Sequence, residues 1–491
     1  MVLFPEYKNG FTTKNKEETR MRVPAKITNE RYRLNYHVST PSGWMNDPNG
    51  FSYYQGYYHI FYQYYPYSAE RGPMHWGHYR SQDLIHWEEL PIALTSDSPE
   101  DDNGCYSGSA IAKAGRLYLI YTGNHYYDVN DHSRFCQTQN VAYSDDGIHF
   151  TKYSGNPVIA LPPADNSQHF RDPKVWQHGN SYYIIVGSQD KAGLGRAITY
   201  KSTDLLHWEY LGPIAVSQGR DNEGYTWECP DLFSLNGQDV LLCSPQGIAA
   251  KGKKYLNLYQ TGYFIGKMDY RQNQFAHGAF QELDHGHDFY AAQTMLTPDN
   301  RRIVIGWLDM WHADFPEQAD GWCGALTLPR ELTLKNNQLY MKPIKELKQL
   351  RQEKVIAEKL VTSSQQINVS DPQHLELLLT AETENWSGNE INLVLKNKQE
   401  NLVTLTWNKG NNEVVLTRAD KPAADSRRYG RLRPKPNLKI QVFIDTSSIE
   451  FFINDGELVF SERYYTSETP QILVNADQSV KVNIIGYTLA K

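Results

Sequence analysis

The segment SQDLIHWEEL at residues 81–90 returns as STDLLHWEYL at residues 202–211, and a weaker copy, SDDGIHFTKY, lies at residues 144–153. A motif that recurs along a chain at similar intervals indicates a fold made of repeated units. In each copy the Asp predicts a tight turn that leads into a strand, and we expect the His and the aromatic residue after it to pack inward. The repeat therefore decides the fold class.

Pairs of short strands lie between these copies, separated by turns that contain Gly or Asn. Such pairs follow Asp47, Ser107, Asp172, Glu228 and Asp288. About five similar units therefore occupy residues 32–342. Small sheets repeated around an axis are the blades of a β-propeller. We predict a five-bladed β-propeller over residues 32–342, preceded by an N-terminal extension over residues 1–31.

The pattern changes after residue 342. Pro343 suits the first turn of a helix, and Ile344, Leu347 and Leu350 have helical spacing, which predicts a linker helix over residues 343–360. Alternating strands with Asn and Gly turns return over residues 361–491 and predict a β-sandwich. The expected fold is all-β, with a five-bladed propeller and a C-terminal sandwich joined by a short helix.

Composition and charge argue against several classes of function. The net charge is −7 without long charged runs, which argues against a nucleic-acid or anionic-membrane partner. No run of about 18 apolar residues could span a membrane. The N-terminus lacks the apolar segment of a secretory signal, and the five cysteines form no C-x-x-C pair. We therefore expect a cytoplasmic protein without disulfides or structural zinc.

Three acidic residues take similar positions in three of the units. Asp47, Asp172 and Glu228 each stand just before the first strand, which lines the channel of a propeller, so we expect them to converge at one mouth. Converging carboxyls raise one another's pKa, so one holds a proton beside an ionised partner. Glycoside cleavage needs such a pair. Because Arg171 would keep its neighbour ionised, Asp172 is the weakest candidate for the proton donor. A single Asp-Pro alone would indicate only a turn.

The motifs around these acids resemble a known family. WMNDPNG at 44–50, FRDP at 170–173 and WECPD at 227–231, in this order, are similar to the motifs of glycoside hydrolase family 32, which includes invertases, inulinases and levanases. YSGSA at 106–110 and GALTLPREL at 324–332 extend the resemblance over essentially the whole chain. The resemblance implies a five-bladed propeller with a sandwich, and retaining hydrolysis of the β-fructofuranosidic bond of sucrose 6-phosphate or sucrose.

The resemblance also implies roles for individual residues. Asp47 matches the nucleophile, Glu228 the acid/base, and Asp172 the third acid, which stabilises the transition state. The implied fructose pocket is lined by Trp44, Met45, Asn46, Gln63, Trp76, Tyr106, Ser107, Arg171, Asp288 and Trp307. Protons and carboxylates suffice for this chemistry, so we expect no metal and no other cofactor.

Several alternatives stay open on the sequence alone. The substrate could be unphosphorylated sucrose or a short fructo-oligosaccharide, the fructosyl group could pass to a second sugar, or the propeller could bind a sugar without catalysis. A phosphate would need Arg or Lys at the channel rim, for which Arg134, Lys191 and Arg196 are candidates. The expected partner is a small sugar, and the sequence does not decide between a monomer and a homodimer.

Overall fold

The computed structural model describes residues 23–128 and 130–490, with the backbone alone for residues 358–362. Residues 1–22, most of the predicted N-terminal extension, lie outside the described residues. Residues 23–31 run along the propeller, where Ala25 N donates to Pro66 O at 2.7 Å and Thr28 N donates to Asp320 O at 2.9 Å. No helix in the described part of the chain is long and apolar enough to cross a membrane.

Five antiparallel sheets follow one another along the chain and confirm the predicted propeller. Blade 1 contains β1 (Gly43–Tyr54), β2 (Tyr57–Tyr65), β3 (His75–Ser81) and β4 (Glu88–Leu94). Blade 2 contains β5 (Cys105–Lys113), β6 (Arg116–Asp128), β7 (Asp131–Ser144) and β8 (Thr151–Lys152). Blade 3 contains β9 (Asn166–His178), β10 (Ser181–Asp190), β11 (Gly195–Ser202) and β12 (Glu209–Val216).

The last two blades close the ring. A short helix, α1 (Arg220–Glu223), precedes blade 4, which contains β13 (Thr226–Leu235), β14 (Gln238–Gln246), β15 (Gly262–Asp269), β16 (Gln274–His277) and β17 (Gln281–Glu282). Blade 5 contains β18 (Tyr290–Leu296), β19 (Arg302–Trp307), β21 (Arg330–Lys335) and β22 (Gln338–Pro343), with a 3₁₀ helix (Pro316–Asp320) and β20 (Trp322–Cys323) inserted after β19. β20 pairs in parallel with β1, which joins the end of the ring to its beginning.

The repeated motif connects the third and fourth strands of blades 1, 2 and 3. In the first copy, Asp83 Oδ1 accepts hydrogen bonds from the backbone N–H groups of Ile85 and His86, which confirms the tight Asp turn. The expectation that the His packs inward is wrong. The His86 side chain is 66% exposed and binds Asp83, whereas Leu84 is fully buried. Leu84 and Ile85, which lie between Asp83 and His86, therefore supply the core contact, and the aromatic residue after the His, Trp87, packs against the propeller core as predicted.

A β-bulge interrupts the first strand of every blade. The strand register shifts after Met45, Tyr106, Arg171, Glu228 and Tyr290 in blades 1 to 5 respectively. In blades 3 to 5 a bulge residue has positive φ: 64° at Asp172, 48° at Cys229 and 53° at Ala291. A bulge adds one residue and re-aims side chains next to a functional site. The five bulges therefore turn side chains toward one end of the channel.

The predicted linker helix over 343–360 is too long. The structure has a 3₁₀ helix only at Lys345–Leu350, and β23 (Arg351–Ile367) begins immediately after it. Leu347 and Leu350, whose spacing predicted the helix, are both buried by this single short helix. Antiparallel pairing of β23 with a long C-terminal strand overrides the helical propensity of the residues after 350.

The C-terminal part confirms the predicted sandwich and consists of one continuous sheet folded on itself. After β23 its strands are β24 (Leu375–Glu382), β25 (Glu390–Lys396), β26 (Asn401–Asn408), β27 (Glu413–Arg418), β28 (Arg427–Arg431), β29 (Asn437–Asp445), β30 (Ser448–Ile453), β31 (Leu458–Arg463) and β32 (Gln471–Leu489). The first half of β32 pairs with β25 and the second half with β24, so this strand passes from one layer to the other.

Buried ion pairs join the propeller to the sandwich. Arg330 is fully buried, and its guanidinium donates to Asp284 of the propeller at 2.7 Å and to Glu450 of the sandwich at 2.6 Å. His37, just before β1, binds Asp445 at 2.8 Å and Glu450 at 2.9 Å. Burial alone would lower the pKa of His37, but these two hydrogen bonds raise it to about 9. His37 is therefore protonated at neutral pH and completes a charged network between the domains.

Candidate active site

Asp47 lies at the bulge of β1, where three side chains hold its carboxylate. Ser107 Oγ, from the bulge of blade 2, donates to Oδ2 at 2.7 Å, and Asn46 Nδ2 donates to Oδ1 at 2.9 Å. The Oδ1 atom of Asn46 in turn accepts from Trp44 Nε1 at 2.8 Å. These bonds fix the orientation of the carboxylate, and Cys229 Sγ approaches its Oδ2 atom at 3.6 Å.

Asp172 occupies the corresponding bulge in blade 3. Its Oδ2 accepts from the backbone N–H of Cys229 at 2.9 Å, and its own N–H donates to Thr122 Oγ1 at 3.0 Å. The thiol of Cys229 lies 3.7 Å from Asp172 Oδ2 and 3.6 Å from Asp47 Oδ2. The two aspartates therefore share one hollow, as predicted. Burial first, and then the surrounding carboxylates, raise the pKa of this thiol well above its ordinary value, so Cys229 stays protonated.

Glu228 projects from the start of β13 and is surrounded by hydrogen-bond donors. Arg171 Nε donates to Oε1 at 3.0 Å. Gln246 Nε2 and Tyr290 Oη donate to Oε2 at 2.7 Å and 2.5 Å. Arg171 Nη1 is held in turn by His169 Nδ1 at 2.9 Å. Burial and the adjacent guanidinium lower the pKa of His169 to about 4, so its neutral ring accepts this bond at neutral pH.

The three carboxyls differ in their affinity for protons. Burial raises the pKa of Asp172 to about 7, against the opposing effect of Arg171 and with further contributions from Glu228 and Asp47. Burial also raises the pKa of Asp47. Burial acts in the same direction on Glu228, but Arg171 and the donors around its carboxylate outweigh it and lower the pKa. The unliganded site therefore favours a proton on the aspartates, above all Asp172, over one on Glu228.

This proton position corrects one prediction. The sequence suggested that Arg171 keeps Asp172 ionised and makes it the weakest proton donor. In the structure the guanidinium of Arg171 turns to Glu228, with Nε and Nη2 both 3.0 Å from Oε1. The sequence position of Arg171 next to Asp172 does not predict its contact with Glu228. Consecutive side chains of a strand point to opposite sides unless a bulge intervenes, so neighbours in sequence need not be neighbours in space.

A cavity of about 280 Å³ opens beside Glu228 and Arg171, near the lower limit of about 300 Å³ for small-molecule pockets. Its wall includes Tyr106, which the sequence analysis assigned to the pocket. Further aromatic and basic lining residues are Arg71, Tyr126, His132, Phe135, Tyr259, Trp311 and His312. Flat rings next to polar groups are suited to the C–H faces and hydroxyls of a sugar.

The structure does not place every predicted pocket residue at the cavity. Asp288 is buried against the sandwich, where Arg418 and the backbone N–H of Arg463 bind its carboxylate. It therefore belongs to the domain interface, and its assignment to the fructose pocket is wrong. The bulge of blade 5 comes three residues later, at Ala291, so the side chain that reaches the acids is Tyr290.

Other predicted residues support the site from behind. Trp307 is fully buried, and its ring packs 6.0 Å from that of Trp44. Trp76 is also buried and donates to the backbone oxygen of Tyr106 at 3.1 Å, while Met45 belongs to the propeller core. Gln63 Nε2 donates to Cys105 O at 2.8 Å. Trp76 and Met45 have no accessible surface to offer a sugar, and Gln63 has 3%.

Three residues that control the acids were not predicted from the sequence: Tyr290, Gln246 and His169. Tyr290 directly follows DF in the fifth unit, and alignment of the five bulges would have selected it instead of Asp288. Gln246 ends β14 and His169 precedes the FRDP motif, where neither shows a distinctive pattern. Their roles depend on side-chain directions that only the folded blades reveal.

Three carboxyls that share one hollow, one of them in a small cavity walled by aromatic rings, can protonate a leaving oxygen and stabilise a positive anomeric carbon. On a propeller, this combination defines a glycoside hydrolase. The profile of the "Glycosyl hydrolases family 32 N-terminal domain" matches residues 37–343, and that of "Glycosyl hydrolases family 32 C terminal" matches residues 346–486.

Full-length relatives agree with these matches. The chain is 40% identical to the sucrose-6-phosphate hydrolase of Bacillus subtilis (strain 168), over 96% of this chain and 97% of that protein. A Bombyx mori β-fructofuranosidase variant in complex with sucrose superposes with a TM-score of 0.85 at 38% identity, covering 97% of this chain and 98% of the other. Sucrose-6-phosphate hydrolase from Lactobacillus gasseri gives 0.84 at 30% identity, covering 98% and 97%. The chain belongs to glycosyl hydrolase family 32.

Proposed function

We propose that this enzyme hydrolyses sucrose 6-phosphate with retention of configuration and releases fructose and glucose 6-phosphate. The observation that carries the proposal is the convergence of Asp47, Asp172 and Glu228 around one hollow, linked through Cys229 and Arg171. The names of the Bacillus and Lactobacillus relatives support the phosphorylated substrate. As a working scheme, the three acids act as nucleophile, transition-state stabiliser and acid/base respectively.

In the first step Asp47 attacks C2 of the fructosyl ring while Glu228 gives its proton to the bridging oxygen. The C2–O bond breaks, glucose 6-phosphate leaves, and an ester joins fructose to the Asp47 carboxylate. In the second step ionised Glu228 takes a proton from water, whose oxygen attacks C2 and releases Asp47. Asp172 stays ionised and stabilises the positive charge that develops on the ring in both steps.

Substrate binding has to move the resting proton before this chemistry starts. The pKa shifts of the unliganded site favour a proton on Asp172, whereas the scheme requires it on Glu228. Fructose hydroxyls that donate to Asp172 would stabilise its ionised form. A sugar hydroxyl that accepts from Arg171 would weaken the hold of this guanidinium on Glu228. Both effects transfer the proton toward the leaving-group side.

The proposed location of the enzyme is the cytoplasm. A phosphorylated disaccharide carries about two negative charges at neutral pH, as other phosphate monoesters do. Such a charged molecule does not diffuse through a hydrocarbon layer, so an enzyme that uses it works in the compartment where the phosphate ester is present. The proposed partner is this small sugar.

The proposal is tested by kcat/KM on sucrose 6-phosphate and on sucrose with the same preparation. We expect the phosphorylated sugar to be the better substrate, and Glu228→Gln protein serves as the control for contaminating activity. Turnover in the presence of methanol should give the methyl fructoside with the β configuration of the substrate. Equal kcat/KM values would reject the phosphate preference, and an inverted methyl fructoside would reject the role of Asp47.

Unphosphorylated sucrose is the second candidate substrate. The Bombyx β-fructofuranosidase was solved with sucrose bound, and its identity to this chain is close to that of the Bacillus relative. A higher kcat/KM on sucrose than on its 6-phosphate would select this alternative. The two candidates share the fructose side of the site and differ only at the leaving group.

A further inference from the structure

The 280 Å³ cavity lies on the leaving-group side of the site. Glu228, the proposed acid/base, lines it, whereas Asp47 does not. An acid/base stands next to the oxygen that it protonates, and that oxygen departs with the leaving sugar. The side chains across the cavity from Glu228 therefore face the group attached to fructose. Their chemistry indicates which leaving group the enzyme accepts.

Arg71 stands at the mouth of this cavity, held in position by aromatic rings. Its Nη2 donates to Tyr106 Oη at 3.0 Å, and its guanidinium carbon lies 5.5 Å from the ring centroids of both Tyr106 and Trp311. Tyr106 Oη also lies 3.1 Å from Tyr126 Oη. Tyr106 directly precedes Ser107, which binds Asp47. Arg71 is therefore linked through Tyr106 to the segment whose next residue, Ser107, holds the nucleophile.

Arg71 differs from the other basic side chains around the cavity. Among the described residues it forms no ion pair with a carboxylate, whereas the guanidinium of Arg171 is bound to Glu228. His169 is neutral because burial lowers its pKa to about 4. A guanidinium has five N–H donors, and the contact with Tyr106 uses one of them. Arg71 lines the cavity, and Glu228, the one acid that also lines it, is already bound by Arg171.

The candidates named from the sequence do not compete for this role. Arg196 is 4% exposed and binds Asp165 at 2.7 Å and Asn166 at 2.9 Å. Arg134 lies over the ring of Tyr127 at 5.8 Å. Neither of these arginines, nor Lys191, is among the described residues that line the cavity.

We propose that Arg71 binds the phosphate of the leaving sugar and determines the preference for a phosphorylated substrate. This inference rests on the proposed function and assigns its anion subsite. Guanidinium groups bind phosphate oxygens through paired charge-assisted hydrogen bonds. The hydroxyls of Tyr106 and Tyr126 are hydrogen-bonded to each other, which leaves one O–H of the pair as a further donor. The phosphate therefore sits beside Arg71 in the cavity, with the glucosyl ring packed against the aromatic wall.

The test compares Arg71→Gln with the parent enzyme on sucrose 6-phosphate and on sucrose. The measured quantity is the ratio of the two kcat/KM values, so a general loss of activity cancels. We expect this ratio to fall about 10- to 100-fold, which corresponds to the loss of a hydrogen-bonded charge. Arg71→Lys keeps the charge without the paired donors and should give an intermediate ratio. Inhibition by glucose 6-phosphate relative to glucose should weaken in parallel.

Arg134→Gln is the matched control, because it removes the same charge from a position outside the cavity and should leave the ratio unchanged. If Arg71→Gln lowers both kcat/KM values equally, Arg71 only supports the aromatic wall and the inference is wrong. A parent enzyme that prefers the phosphate, together with an unchanged ratio in Arg71→Gln, rejects the subsite and keeps the proposed function. A parent without any preference rejects the proposed substrate itself.

Discussion

Tyr290→Phe removes one hydrogen bond from the proposed acid/base without changing any charge. Tyr290 Oη donates to Glu228 Oε2 at 2.5 Å inside a buried site, and burial and the nearby carboxylate raise the pKa of this phenol well above its ordinary value. The phenol therefore stays neutral and stabilises the ionised form of Glu228. Loss of this bond should raise the pKa of Glu228.

The magnitude follows from the type of bond. A hydrogen bond to a charged group contributes about 1.5–3 kcal/mol, and one pKa unit corresponds to about 1.4 kcal/mol. We therefore expect the pKa of Glu228 to rise by about 1–2 units. Glu228 has to be protonated to release the leaving group, so the alkaline limb of the kcat profile should move upward by the same amount.

The assay is kcat on saturating sucrose as a function of pH, because this profile reports groups in the enzyme–substrate complex and sucrose has no titrating phosphate. Tyr121→Phe is the control, since it deletes a buried tyrosine bond of 2.8 Å to Asp101 away from the site. It should lower the free energy of unfolding and leave the profile in place. An alkaline limb of Tyr290→Phe that coincides with that of the parent would refute the coupling between Tyr290 and the acid/base.

Asp47→Asn and Glu228→Gln should each lower kcat on sucrose at least about 1,000-fold with unchanged circular dichroism, because each removes a reacting group; near-parental turnover would contradict the assignments. Arg330→Met removes the guanidinium shared by two buried carboxylates and leaves Asp284 without a charged partner, so it should lower the free energy of unfolding by about 3–5 kcal/mol in denaturant titrations, unlike exposed Arg271→Met. The pKa of His37 is raised to about 9 in the folded protein, against about 6.5 in the unfolded chain. Protonated His37 therefore adds about 3 kcal/mol to the free energy of unfolding. This contribution is complete below a pH of about 6.5, the pKa of the unfolded chain, and is lost as the pH rises through about 9. Calorimetry against pH should show this loss, and a flat profile would argue against it.

The repeat and the three acid motifs made the propeller and its acids predictable, because both depend on spacing along the chain. The side-chain pairings were not predictable in this way. Arg171 binds Glu228 and not Asp172, and Asp288 binds residues of the sandwich and does not line the sugar pocket. Both differences arise at β-bulges and at the domain interface. The sequence does not mark a one-residue shift in a strand, although that shift decides which side chain enters the channel.

The linker shows the same limit at the level of secondary structure. Residues after Leu350 have strong helical propensity, yet they form β23 because β32 offers a partner along its whole length. Propensity describes a segment in isolation, whereas strand pairing depends on residues more than 100 positions away.

The function of Arg71 could not be predicted from the sequence either. Nothing around it in the sequence distinguishes it from the other arginines, and only its position at the cavity mouth does.

The hydrogen bonds between the sandwich and the segment before β1 allow this distant domain to influence turnover. Asp445 binds His37 and the backbone N–H groups of Asn35 and Tyr36, and the nucleophile follows ten residues after His37 on the same run of chain. The C-terminal half thus sets the starting point of the strand that delivers Asp47. Substitution of Asp445 should therefore lower kcat as well as the free energy of unfolding, although this fully buried side chain has no surface that a sugar could touch.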